Sequence, residues 1–189
     1  MNEALKERLN KVNSRLESED FLASSGLGNE LAFYIFDYPP EHELDIRRFA
    51  SHSLNYLAKK NISVAHVNLF EMVIDYLSKR NLLDRALSTQ PKKSDSERLK
   101  ALRGPLNEEK LAKTFVEIAD PANHQLVLMT GIGSAWPLVR SHTLLNALHP
   151  LMKGTPLVIF YPGKYDGQYL TLFGKLDRRY YRAFQLMSQ

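Results

Sequence analysis

A grouping of residues that could hold an anion lies at a turn in this sequence. Thr130-Gly131-Ile132-Gly133-Ser134-Ala135-Trp136 follows the apolar run Gln125-Leu126-Val127-Leu128-Met129 and leads into a helical pattern that contains Arg140. Free backbone amides at a strand-to-helix turn, with the helix dipole behind them, can hold an anion at the C-terminal edge of a sheet. Gly131, Gly133, Ser134 and Arg140 therefore form a candidate anion-binding set. The plainer alternative, and the favoured one, is that the two glycines let the chain turn tightly while Trp136 packs over it. Ser134 is a poor nucleophile candidate, because Gly-x-Ser-x-Gly is not matched: Ala135 follows it and Trp136 stands where the last glycine belongs.

Other chemistry is disfavoured by missing partners. A triphosphate loop needs Gly-x-x-x-x-Gly-Lys-Ser/Thr, whose amides wrap the phosphates, whose lysine neutralises them and whose hydroxyl reaches magnesium. Gly26-Leu27-Gly28 and Gly131-Ile132-Gly133 lack the lysine and the spacing, and Gly163-Lys164 and Gly174-Lys175 are followed by Tyr165 and Leu176. The histidines form no His-Glu-x-x-His, and His142 and His149 share a helix face without a third ligand nearby. Asp37 stands where many nucleotide enzymes place a metal-binding acid, but one carboxylate without a phosphate loop is weak evidence, and capping the turn before Pro39-Pro40 is the plainer role. No catalytic residue, metal or cofactor is assigned on these grounds.

The densest unusual segment is Tyr161-Pro162-Gly163-Lys164-Tyr165-Asp166-Gly167-Gln168. Two readings stand for it. Tyr161, Lys164, Tyr165, Asp166 and Gln168 can form a partner-binding surface, since tyrosine offers wide contact area with one polar tip, or the segment is a turn of the kind found wherever a strand reverses.

The elements that must position these residues alternate. Leu5, Leu9, Val12 and Leu16 mark an amphipathic N-terminal helix within residues 1–25. Leu31 to Phe36 reads as a buried strand, ended by Pro39-Pro40. Ile46, Phe49, Ala50, Leu54 and Leu57 share one face of a helix over 41–60. A strand over 62–69 and a helix reaching about Arg80 follow. Residues 88–103 are nearly free of apolar side chains and read as an exposed polar loop. Asn107 caps a helix carrying Leu111, Ala112, Phe115, Val116 and Ala119 and stopped by Asp120-Pro121. After the strand at 125–129, a helix is expected from Pro137 to His149, then a strand at Leu157 to Tyr161. Tyr169 to Phe173 and Tyr180 to Met187 can close the chain as a β-hairpin. The sum is one domain over 1–189, a three-layer α/β fold with a largely parallel central sheet and helices on both faces.

Composition narrows the setting. The 189 residues, 44% apolar and 24% charged, are enough for one self-sufficient core. With no cysteine, no signal-like start and no apolar run near the ~20 residues needed to cross a bilayer, the expectation is a cytoplasmic protein with no membrane contact. A formal charge of +4 permits nucleic-acid binding, but the basic residues are scattered, Lys92-Lys93 and Arg178-Arg179 with Arg182 being the nearest to clusters.

Phe160-Tyr-Pro-Gly-Lys-Tyr-Asp-Gly-Gln168, followed by Leu170 to Gly174, resembles the signature of the BrxB family of bacterial BREX phage-defence systems. Gly26-Leu-Gly-Asn-Glu30 before Phe33-Tyr-Ile-Phe-Asp-Tyr-Pro39, Thr130 to Pro137 with Arg140, His142 and Leu144-Leu-Asn146, and Tyr180-Tyr-Arg-Ala-Phe184 resemble that family in order and spacing. The resemblance implies a non-catalytic component of a system that methylates host DNA and excludes unmodified phage. It further implies an adaptor or scaffold binding other BREX subunits such as PglZ. A DNA-contacting subunit and a cryptic phosphate-directed enzyme are the alternatives, and the family supplies no catalytic residue to carry over.

Overall fold

A computed structural model describes residues 3–23, 32–88 and 94–187. The block Gly26 to Glu30 used for the resemblance, Leu31 at the expected strand start, and Lys92-Lys93 lie outside the described residues.

Alternating side chains build a sheet with two apolar faces. In strand β1 (Phe33–Tyr38), Tyr34, Phe36 and Tyr38 point to one face and Phe33 and Ile35 to the other. Strands β3 (Leu126–Thr130) and β4 (Leu157–Tyr165) do the same, with Leu126, Leu128, Val158 and Phe160 on the first face and Val127, Met129, Leu157 and Ile159 on the second. Burial on both faces is why these strands read as continuous apolar runs. Strand β2 (Val64–Asn68) lies at one edge and the short β7 (Phe184–Gln185) at the other, in the order β2-β3-β4-β1-β7. All of these pairings are parallel.

The first face is covered by helices α1 (Glu3–Leu16), α2 (Glu19–Ala23) and α3 (Glu43–Lys59). Leu5, Leu9, Val12 and Leu16 supply the buried stripe of α1, as their spacing requires. The second face is covered by α4 (Leu69–Ser78), α7 (Glu108–Ala119) and α9 (Ser141–Leu148). The three-layer α/β class is thereby established, and among the described residues no helix is long and apolar enough to cross a membrane.

Four boundaries differ from expectation. Residues 88–103 are not wholly loop: α5 (Leu82–Ser88) reaches Ser88, and α6 (Asp95–Leu102) is started by a capping box in which the Ser94 hydroxyl accepts from the Glu97 amide and the Glu97 carboxylate accepts from the Ser94 amide. The helix expected from Pro137 begins only at Ser141, because a four-residue helix, α8 (Ile132–Ala135), and a turn come first. Strand β4 runs past Tyr161 to Tyr165. The hairpin pairs β5 (Tyr169–Leu172) with β6 (Leu176–Tyr180) across Phe173-Gly174-Lys175, while β7 joins β1 in parallel.

Candidate functional site

In an open parallel sheet, ligands bind beyond the C-terminal strand ends where successive connections leave on opposite faces. Here β1 is followed by α3 on one face, β3 by α8 and α9 on the other, and β4 lies between them. Strand β4 does not stop at this crevice. It continues as Pro162 to Tyr165 and pairs antiparallel with β5, Gly163 opposite Leu172 and Tyr165 opposite Leu170. The approach is close enough that a Cβ on Gly163 would lie 2.2 Å from the Thr171 carbonyl oxygen.

The glycine turn is packed from the same side. A Cβ on Gly133 would meet Pro162 Cγ at 2.9 Å and the Phe173 ring at 3.1 Å. Gly131 has φ +75°, and a Cβ there would meet the Asn68 Oδ1 at 2.0 Å, so both glycines serve the tight turn. That Asn68 oxygen already caps α4, accepting from the Phe70 and Glu71 amides. Trp136 packs edge-on against Phe173, with ring centroids 6.1 Å apart.

Ser134 receives a hydrogen bond from Arg47 Nη2 at 2.9 Å, a residue of α3 that sequence reasoning missed because it is distant in the chain. A guanidinium is always protonated and cannot take the serine proton, so this contact builds no nucleophile. Arg140 instead lines a groove with Arg103 and Trp136. The four residues of the anion hypothesis are thus divided between a packed turn, an α3 contact and a groove wall.

Asp37 is 4% exposed and joins three elements. Its Oδ1 accepts from Arg8 Nη2 of α1 at 2.6 Å, and its Oδ2 accepts from the Tyr165 amide of β4 at 3.1 Å. The Arg8 guanidinium also lies 4.6 Å above the Phe36 ring. These partners give Asp37 a structural task, holding the N-terminal helix and the β4 extension to the end of β1. Among the described residues no group of three or more His, Asp or Glu is placed to hold a metal. His149 packs on the Phe33 ring at 5.2 Å, and burial lowers its pKa.

Tyr161 and Tyr165, expected on a partner-binding loop, are 1% and 0% exposed. The correction has a plain cause: β4 extends through them, so period-two alternation sends both rings into the core on the α7 and α9 side. The Tyr165 hydroxyl accepts from the Ala183 amide at 3.1 Å, and its proton faces the carbonyls of Ala183 at 2.8 Å, Gly167 at 2.9 Å and Tyr181 at 3.2 Å. Gln185 Nε2 donates to the Tyr165 carbonyl at 3.0 Å. Asp166 closes the turn by accepting from the Tyr169 amide at 2.7 Å and the Gln168 amide at 3.0 Å, bonds that hold its carboxyl below the usual range. Lys164 and Gln168 are exposed.

The same hairpin also presents an exposed surface on β6. Arg178, Arg179 and Tyr180 of β6 are exposed, Tyr180 by 65%. Arg178 lies 4.4 Å above the Tyr169 ring and 3.7 Å from Asp166. Among the described strands β6 pairs with β5 alone, so no described strand pairs with its other edge.

A family model described as "BREX protein BrxB" matches residues 65–186. A "BREX protein BrxB" of Escherichia coli O9:H4 (strain HS) is 41% identical over 184 residues, covering 97% of this chain and 92% of that relative. A second, of Bacillus cereus (strain H3081.97), is 36% identical over 193 residues, covering 98% of each. No solved structure matches at a significant level.

Proposed function

The chain belongs to the BrxB family, and from that premise we propose that it is a non-catalytic component of a BREX anti-phage defence system. In this reading it is an adaptor that binds other BREX subunits in the cytoplasm, PglZ foremost, through the exposed side of the β4-β5-β6 hairpin. One observation carries the proposal: at the strand ends, where an α/β enzyme would hold its ligand, the chain's own hairpin packs against the glycine turn, Pro162 and Phe173 against Gly133, with Tyr161 and Tyr165 buried. What the hairpin leaves outside is contact surface, namely Lys164, Gln168, Arg178 and Tyr180. An exposed aromatic beside arginines, on a strand with an edge that no described strand pairs with, is the chemistry of protein docking.

The test is co-purification of BREX subunits with the tagged full-length chain and with a Lys164→Glu/Arg178→Glu variant. The adaptor reading expects a subunit to be recovered with the native chain at micromolar concentration and about tenfold less with the variant, since reversed charges repel a complementary surface. Recovery of no subunit by the native chain would defeat it.

The exposed arginines of β6 also favour a second reading, contact with DNA phosphates through Arg178 and Arg179. That reading requires affinity for duplex DNA that falls steeply with salt, by roughly one logarithmic unit per decade of salt for each phosphate neutralised. Salt-independent affinity would remove it.

A further inference from the structure

Helices α5 and α6 have no buried residue, although both carry leucines. Leu87 is 56% exposed, and Leu99 and Leu102 are only partly covered. Beside α6 runs a groove of about 570 Å³, floored by Leu99, Leu102, Leu106 and Leu138 and rimmed by Trp136 and Leu176, which are 39% and 37% exposed. Arg103 and Arg140 also line it. Both are exposed, and neither has an ion-pair partner among the described residues. The one carboxylate on the lining is Glu108, which leaves the groove cationic.

We infer that this groove is a second docking site, and that its occupant is a short acidic segment of a partner protein with one or two large apolar side chains. The leucine floor takes the apolar anchors, and Arg103 and Arg140 pair with flanking carboxylates. Charge complementarity selects the sign of the partner, and an arginine left unpaired on an apolar wall is suited to a bidentate carboxylate contact. The cation count decides against a nucleic-acid strand, whose backbone needs more than the two arginines the lining offers. The inference goes beyond the hairpin surface while resting on the same adaptor reading: a chain with two docking sites can hold two segments or two subunits together.

The test places a photo-crosslinking phenylalanine derivative at Leu176 of the full-length chain, expressed with the complete set of BREX subunits. The expected product is a covalent adduct with a BREX subunit, mapped by mass spectrometry to a segment with aspartate or glutamate beside leucine, isoleucine or phenylalanine. Its yield should fall about tenfold in Arg103→Glu/Arg140→Glu and fall less in Arg103→Lys/Arg140→Lys, which keeps the charge but loses the bidentate fork. Both variants should unfold at the native temperature, so a lost adduct reports the groove and not the fold. An adduct with nucleic acid, with a second copy of this chain, or with a segment lacking carboxylates would overturn the inference, as would indifference to charge reversal or no adduct at all. If subunits still co-purify with the native chain while the adduct fails, the groove alone is refuted. If none co-purifies, the adaptor reading has failed first.

Discussion

At the end of the sheet, Asp37 and the Tyr165 hydroxyl are buried and bonded, although Arg8 Nε and the Tyr181 hydroxyl are buried without a hydrogen-bond partner among the described residues; in the groove beside α6, leucines are partly covered and Arg103 and Arg140 are exposed without an ion pair among the described residues. Asp37 is committed to Arg8 and the Tyr165 amide, and the Tyr165 hydroxyl to the backbone of residues 167 to 183. Across the groove, Arg103 and Arg140 have no ion pair among the described residues, and the leucines of α6 are half covered. The contrast separates two meanings of an unusual residue. A buried polar side chain whose bonds are made is structural, because its removal strands its partners. An exposed one beside apolar surface is available to something outside the chain.

The largest effect that can break this contrast is at Asp37. Asp37→Ala leaves Arg8 inside without its counter-charge and the Tyr165 amide without its acceptor, so urea unfolding should show a loss of about 3 kcal/mol or more. A loss near zero would mean that the sheet end is not locked as described.

The alkaline limb sharpens the same point. Burial raises the pKa of the Tyr38 and Tyr181 phenols above the ordinary 10.0, with the Glu43 carboxylate adding to the effect at Tyr38. A folded-state pKa above the unfolded one makes the neutral phenol's contribution complete below the unfolded value and lost as pH rises above it. Stability should therefore hold to about pH 9 and then decline by up to ~1.4 kcal/mol per pH unit for each tyrosine. Tyr181→Phe should flatten that decline, as followed by denaturant titration between about pH 9 and pH 11.

The smallest effect on stability belongs to the groove. Arg103→Glu/Arg140→Glu should leave the unfolding free energy within about 0.5 kcal/mol of native, since surface changes away from buried partners rarely matter more. A larger loss would show that these arginines are structural after all.

Much of the layering was readable from apolar periodicity, and Asn107 announced its helix by cap chemistry alone. The hidden parts share one cause: contacts between residues distant in the chain. Nothing in the sequence tells that Arg8 meets Asp37, or that Arg47 reaches Ser134. Pro162 and Gly163 looked like a strand terminator, yet β4 passes through both because Pro162 sits opposite Tyr38 and Gly163 allows β5 to approach. Helix α6 was legible in principle, for Ser94-Asp-Ser-Glu97 is a capping box, but its polar surface hid it. The tyrosines of the 161–168 segment were misplaced because tyrosine serves cores and interfaces equally well.

Hydrogen exchange of the chain, alone and in complex with the BREX subunit that co-purifies with it, tests the adaptor account most directly. The amides of β6 should slow about tenfold or more on binding, while the turn at Gly131 to Ser134, already packed, and the Tyr165 amide, already bonded to Asp37, should change little. Protection confined to Gly131 to Ser134, with the hairpin edge unchanged, would contradict the account and return the function to the crevice at the end of the sheet.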